Sequence, residues 1–165
     1  MATQKEMLAM VRKLIADEQA TGFTEGGNLE EPEGTQELLN YLDRAVDEYS
    51  KRQAAKLDLR LVKHMQITDG MSLPDDFIAF CGVVPYTVEG RTVYAFGSPA
   101  SLPVRYFARL SYVSGFDETS TLPYDKEQYI TLTAMAAIYA LNKHEYDVSQ
   151  HLLLLGMGSV QNATE

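Results

Sequence analysis

The sequence predicts an α+β fold in which N-terminal and C-terminal helices pack together and a small, mainly antiparallel β-sheet with a hairpin is inserted in the middle. Three observations carry this expectation. Apolar residues recur at helical spacing from Met7 to Tyr49, β-rich runs punctuated by turn residues fill the stretch from about Lys56 to Val113, and helical spacing returns after Asp125. With 165 residues, a single domain spanning residues 1–165 is expected.

At the start, Thr3 and Glu6 fit a capping box, in which hydroxyl and carboxylate each satisfy a free backbone N–H of a helix start. Met7, Met10, Val11, Leu14 and Ile15 then form one stripe of a helix ending near Ala20 or Thr21. The next segment, 22–34, combines glycines and Pro32 with Glu25, Glu30, Glu31 and Glu33 and no basic residue, so a mobile acidic loop is expected. Thr35 is a candidate cap for a second helix, whose stripe is Leu38, Leu39, Leu42, Ala45, Val46 and Tyr49. The two helices make a hairpin.

Beyond Arg52 the period changes. Leu57, Leu59, Leu61, Met65 and Ile67 alternate with Asp58, Arg60 and His64, which is strand spacing; a continued helix is the alternative. Asp69-Gly70 marks a turn, and Asp75 and Asp76 are placed to cap a short turn over 77–80. Val83 to Val88 and Arg91 to Phe96 read as a hairpin turning at Glu89-Gly90. Val104 to Val113 reads as a long half-buried strand, with Val104, Tyr106, Ala108, Leu110 and Tyr112 on one face and Arg105, Phe107, Arg109 and Ser111 on the other. Asp125 and Gln128 form a second capping box, opening a helix to about Lys143 with almost no polar side, which must be covered all round. A last helix is expected from Asp147 through Leu155, stopped by Gly156, with a flexible tail over 157–165.

Composition excludes several classes. Acidic residues outnumber basic ones 23 to 14, and the net charge of −9 opposes a grip on a phosphate backbone, so sequence-specific nucleic-acid binding is not expected. Cys81 is the single cysteine, which removes a disulfide scaffold. The charged first residues lack a signal-peptide apolar block, and no apolar stretch is long enough to span a membrane, so a soluble protein made in the cytoplasm with no membrane partner is expected.

Candidate chemistry is sparse. His144, Asp147 and His151 have helical ligand spacing, but the expected helix break separates them and a fourth ligand is missing, so no metal is predicted. Cys81 sits beside Phe80 and reads as a buried thiol. Asp75 and Asp76 are adjacent and diverge in either helix or strand, so they form no shared-proton pair. Asn162 lies in a sequon without a secretory signal, and six tyrosines (Tyr41, Tyr49, Tyr106, Tyr112, Tyr129 and Tyr139) fall on core stripes. Neither a catalytic residue nor a cofactor-binding one is expected, and no cofactor. The feature hardest to satisfy within one chain is Leu152-Leu153-Leu154-Leu155, since four consecutive helical residues sweep most of the helix circumference. These four are the candidate subunit-interface residues, with the N-terminal helix as the alternative cover.

The order of segments also resembles a known family. A helical hairpin ending in Ala45-Val46-Asp47-Glu48-Tyr49-Ser50-Lys51-Arg52 comes first, followed by an alternating strand, then Leu73-Pro74-Asp75-Asp76-Phe77, a β-hairpin and a strand ending Leu110-Ser111-Tyr112. Ser120-Thr121-Leu122-Pro123 then precedes an Ala-rich helix. Over residues 35–155 this is similar to the head–tail connector (adaptor) proteins of tailed bacteriophages and prophages. The resemblance implies a non-enzymatic virion structural protein at the capsid vertex or neck. It implies a ring-shaped homo-oligomer beneath the portal that extends the DNA channel and meets tail or neck proteins. It leaves the ring's stoichiometry open, a dodecamer included, and allows a chain that is monomeric when isolated. From the residues alone, a small cytoplasmic ligand-binding or regulatory domain is the alternative.

Overall fold

The structure, a computed structural model, describes residues 2–20, 32–97 and 99–143. The described residues hold three α-helices, α1 (Gln4–Ala20), α2 (Pro32–Ala55) and α3 (Lys126–Lys143). Five short strands lie between α2 and α3: β1 (Val62–Thr68), β2 (Phe77–Phe80), β3 (Thr87–Glu89), β4 (Thr92–Tyr94) and β5 (Ser101–Ala108). The predicted α+β class is thus observed, with helices toward both ends and antiparallel strands in the middle. The chain divides into two compact units, Met1–Val46 with Tyr112–Glu165 and Asp47–Ser111, and the division falls inside α2.

In the helical unit, both predicted capping boxes form. Thr3 N donates to Glu6 Oε2 at 2.8 Å and Glu6 N to Thr3 Oγ1 at 3.2 Å; Asp125 N donates to Gln128 Oε1 at 2.9 Å and Gln128 N to Asp125 Oδ1 at 2.8 Å. Each box satisfies N–H groups that a helix start leaves open. The boxes fix where α1 and α3 begin, and the two helices pack on one another. Met7, Val11, Leu38, Leu42, Val46, Leu132 and Leu141 are fully buried. Leu8, outside the predicted stripe, is buried too. On α3 the expected all-round cover is nearly realised, since Leu132 to Ile138 are buried except Ala134, while Ile130 stays half exposed. Gln4 is a buried polar anchor: its Nε2 donates to the carbonyls of Val113 at 3.0 Å and Phe116 at 2.7 Å, both in the turn that follows the β segment.

The second helix opens three residues before the expected cap. Pro32 occupies its first position, where the missing N–H costs nothing and the fixed φ suits the helix. Thr35 therefore lies in the first turn, and its Oγ1 accepts from Arg12 Nη2 at 2.7 Å. The end of the predicted 22–34 loop is helical for the same reason; its residues 22–31 lie outside the described residues, as do the last predicted helix and the tail over 157–165.

In the unit Asp47–Ser111, β1, β5 and β2 form an antiparallel sheet in that order, and β3 and β4 form a hairpin. The register β1/β5 pairs Met65 with Val104 and Ile67 with Leu102, which places these side chains on one face. There Ile67, Leu73, Val93 and Val104 make a small core, with Phe77, Phe80 and Tyr86 packed against it. Phe107 points to the other face, where it is buried with Ala54 and Leu61. β5 is consequently covered on both faces at its C-terminal end, which corrects the half-buried reading that grouped Phe107 with the exposed arginines. The strand also begins earlier than expected, at Ser101, and ends at Ala108. Pro103 is tolerated because β2 flanks β5 only from Tyr106 onward, so Pro103 lies where one edge of the strand is open.

Three further local readings are corrected. The segment 77–80 is a strand, since Arg109 N donates to Asp76 O at 2.6 Å and Cys81 N to Arg105 O at 2.9 Å, drawing it onto β5. The hairpin is shorter than expected and turns one residue later, at Gly90-Arg91, with Gly90 at φ +61°. A glycine with positive φ at the first turn position matches the twist of paired strands. Arg91 then clamps the preceding loop, its Nη2 reaching Leu73 O at 2.9 Å and Pro74 O at 2.7 Å.

The third correction concerns residues 57–61, where a strand was expected. The helix α2 ends instead in a Schellman motif, with Asp58 N donating to Gln53 O at 3.0 Å and Leu57 N to Ala54 O at 3.0 Å. A single 3₁₀ turn, Leu59–Leu61, capped by Asp58 through its carboxylate and Arg60 N, leads into β1. Leu57 takes the left-handed position, φ +59°, that glycine usually fills. Replacing Leu57 with glycine is expected to raise unfolding stability by about 1 kcal/mol by removing the Cβ strain, less the entropy of the freer unfolded chain. Urea denaturation of the two proteins checks this.

Candidate interaction surface

The predicted interface residues Leu152, Leu153, Leu154 and Leu155 lie outside the described residues, as do His144, Asp147 and His151. Among the described residues, no three His, Cys, Asp or Glu side chains come together as a metal site would require. Cys81 is half-buried, packed against the cluster of Ala54, Leu61 and Phe107. Burial raises its pKa and keeps the thiol protonated at neutral pH, against a smaller lowering by the nearby positive charge of Arg105.

The adjacent acids part company as predicted. Asp75 Oδ1 lies 3.2 Å from Arg91 Nη2. Asp76 accepts from Lys63 Nζ through Oδ2, at 2.5 Å, and from Tyr106 Oη through Oδ1, at 3.2 Å. Tyr106 is 5% exposed and stacks on Phe77, with ring centroids 5.7 Å apart. Burial, then the charge and hydrogen bond of Asp76, raise the Tyr106 pKa. Its folded pKa therefore exceeds its unfolded value, so the stability it contributes is complete below about pH 10 and is lost as pH rises through the folded pKa. Tyr106→Phe is expected to flatten the alkaline arm of a stability–pH curve above about pH 10. Chemical denaturation across that range reads the effect.

What the molecule presents to its surroundings is apolar at several points. Leu57 is 68% exposed, Leu59 76%, Phe96 74% and Val83 fully exposed, all in the unit Asp47–Ser111. Apolar side chains exposed singly are ordinary, so Leu57 and Leu59, two on one turn, are the pair that marks a contact site. Leu57 and Leu59 are carried on the turn between α2 and β1. Exposed Lys51, Arg52, Lys56 and Arg60 accompany them, Arg52 paired with Glu48 and Arg60 with Asp58. The Arg60 side-chain hydrogen bond lowers the Asp58 pKa, against a smaller opposing effect of burial. This knuckle was missed in the sequence because alternation of leucine with charge is also the mark of a half-buried strand. The consecutive Lys56-Leu57-Asp58-Leu59-Arg60, charged at every non-leucine position, was the available signal.

The helical unit carries an open depression at the paired starts of α1 and α3. Ala2, Glu6, Tyr124, Asp125, Lys126 and Tyr129 line it. Ala2 and the two tyrosines are its uncharged lining, while the carboxylates of Glu6 and Asp125 are held by their capping boxes. Burial and then the charge of Asp43 raise the Tyr124 pKa strongly; burial and then Glu6 raise that of Tyr129. Both phenols stay neutral through the physiological range.

Among the described residues, no helix is long and apolar enough to cross a membrane. Comparison with protein-family models, with curated proteins and with solved structures found no match.

Proposed function

We propose that this chain is a non-enzymatic structural protein of a tailed-phage particle, a head–tail connector whose copies form a ring between portal and tail and extend the DNA channel. The observation that carries the reading is the set of exposed large apolar residues, Leu57, Leu59, Val83 and Phe96, in a chain whose segment order resembles that family. Side chains of this kind act through contact, since leaving them in water contributes nothing to the chain's own fold. The acidic balance suits a channel wall, because like charge lets DNA pass without adhering. On this reading the protein is made in the host cytoplasm and resides in the virion neck, with portal and tail or neck proteins as neighbours.

The test is the mass of the purified chain, alone and mixed with purified portal. Self-assembly, or a complex with portal at micromolar concentration, is expected; a strict monomer that leaves portal unbound would sink the reading. A second reading, a small ligand-binding domain, has the depression at Tyr124 and Tyr129 in its favour. Thermal shift separates the two, because a ligand-binding domain gains stability with a metabolite and a connector only with its assembly partners.

A further inference from the structure

We infer that the turn between α2 and β1 is a knob that docks, in a second copy of this chain, into the depression at the starts of α1 and α3. The inference deepens the connector reading and rests on it for the expectation that copies assemble.

Three observations converge on the knob. Leu57 and Leu59 are 68% and 76% exposed, on consecutive odd positions of one tight turn. Leu57 holds φ +59°, a conformation that costs a branched side chain strain and costs glycine none. A leucine kept there, and kept in water, contributes least to its own fold, so its use lies in what it touches. The turn is locked by the Schellman hydrogen bonds and by the Asp58 cap, so the two leucines are presented without an ordering cost on binding.

Charge chooses the occupant. The unit Asp47–Ser111 holds eight Lys and Arg against seven Asp and Glu, whereas the rest of the chain holds six against sixteen. Lys51, Arg52, Lys56 and Arg60 lie within ten residues at the knob; Arg52 is paired with Glu48 and Arg60 with Asp58, so the charge it offers a partner is that of Lys51 and Lys56. An acidic surface with an uncharged lining is its complement. The depression of the helical unit has that character: Ala2, Tyr124 and Tyr129 for the leucines, and Glu6 and Asp125 for the lysines, with Lys126 the one opposing charge. Knob and socket are unlike patches, so copies can join head-to-tail, and repeated contacts of that kind close into a ring or extend as a filament.

The experiment uses the full-length chain in three forms. Leu57→Gly with Leu59→Ser removes the knob, and Ala2→Arg fills the socket and cancels its net negative charge. Sedimentation velocity at rising concentration, at low and high salt, is expected to show wild-type multimers that weaken with salt, and at least a tenfold loss of association in each variant. The two variants mixed are expected to form a one-to-one dimer and nothing larger, since each supplies only one working surface. Melting temperature controls for folding; the knob variant should match or exceed wild type. Wild-type multimers that persist in both variants would overturn the inference and leave the connector reading standing. A monomeric wild type would also overturn it, with portal binding left to judge the connector reading. Loss of binding to phosphatidylserine vesicles or duplex DNA in the knob variant, with self-association unchanged, would overturn it in favour of those partners.

Discussion

Replacing Leu42 with alanine is expected to lower unfolding stability by about 3 kcal/mol, within the 2–5 kcal/mol observed when a fully buried leucine is cut back to its Cβ. Leu42 is completely buried on α2, as are Leu38, Ala45 and Val46 along the same helix. The loss has two parts, the transfer free energy of the removed carbons and the cavity left behind. Neighbouring turns of a helix cannot collapse into such a cavity without moving their own side chains, so little of it is recovered. For a chain of this length the melting temperature should fall by roughly 6–12 °C. Differential scanning calorimetry reads it, and a fall of less than about 2 °C would show that the site is not packed as described.

The second large effect is in the other unit. Ile67→Ala is expected to cost about 3 kcal/mol, because Ile67 is fully buried among Leu73, Val93 and Val104 in a core of only four buried residues. A small core has few alternative contacts, so a cavity there removes a larger share of what holds the strands. Val93 lies on the hairpin and Val104 on the sheet, which makes Ile67 a shared support for both. The expected signature beyond lowered stability is faster exchange of the β4 amides. One of these is Val93 N, which donates to Met71 O at 2.9 Å. Hydrogen-exchange mass spectrometry of the variant checks this.

These effects show which parts of the fold the sequence discloses. The starts of α1 and α3 were legible because a capping box is a local device: Thr3 with Glu6, and Asp125 with Gln128, need only each other and the chain between them. The stripes of α1 and α2 were legible because burial and period coincide. The turn 57–61 was not, since its leucines follow a strand's alternation and only the tertiary position reveals that two of the three are in water. Phe107 was misassigned for the complementary reason. Its neighbours Arg105 and Arg109 suggested a solvent face, and the cover comes from Ala54 and Leu61, distant in sequence. Pro103 hid the start of β5 because a proline's tolerance depends on whether a neighbouring strand needs its N–H. The candidate surface was least legible of all, since exposure is a property of the folded chain. Neither knob nor socket carries a motif that chemistry would impose.

The helix α2 runs unbroken from Pro32 to Ala55 while the boundary between the compact units falls between Val46 and Asp47. Severing the units thermodynamically would require breaking the main-chain hydrogen bonds that span that boundary, so melting of one side leaves a frayed helical stump on the other. A protease that cuts at the junction would therefore have to wait for a rare opening of the rod. The most durable fragment after limited digestion should retain α2 whole, whichever flank has been trimmed away.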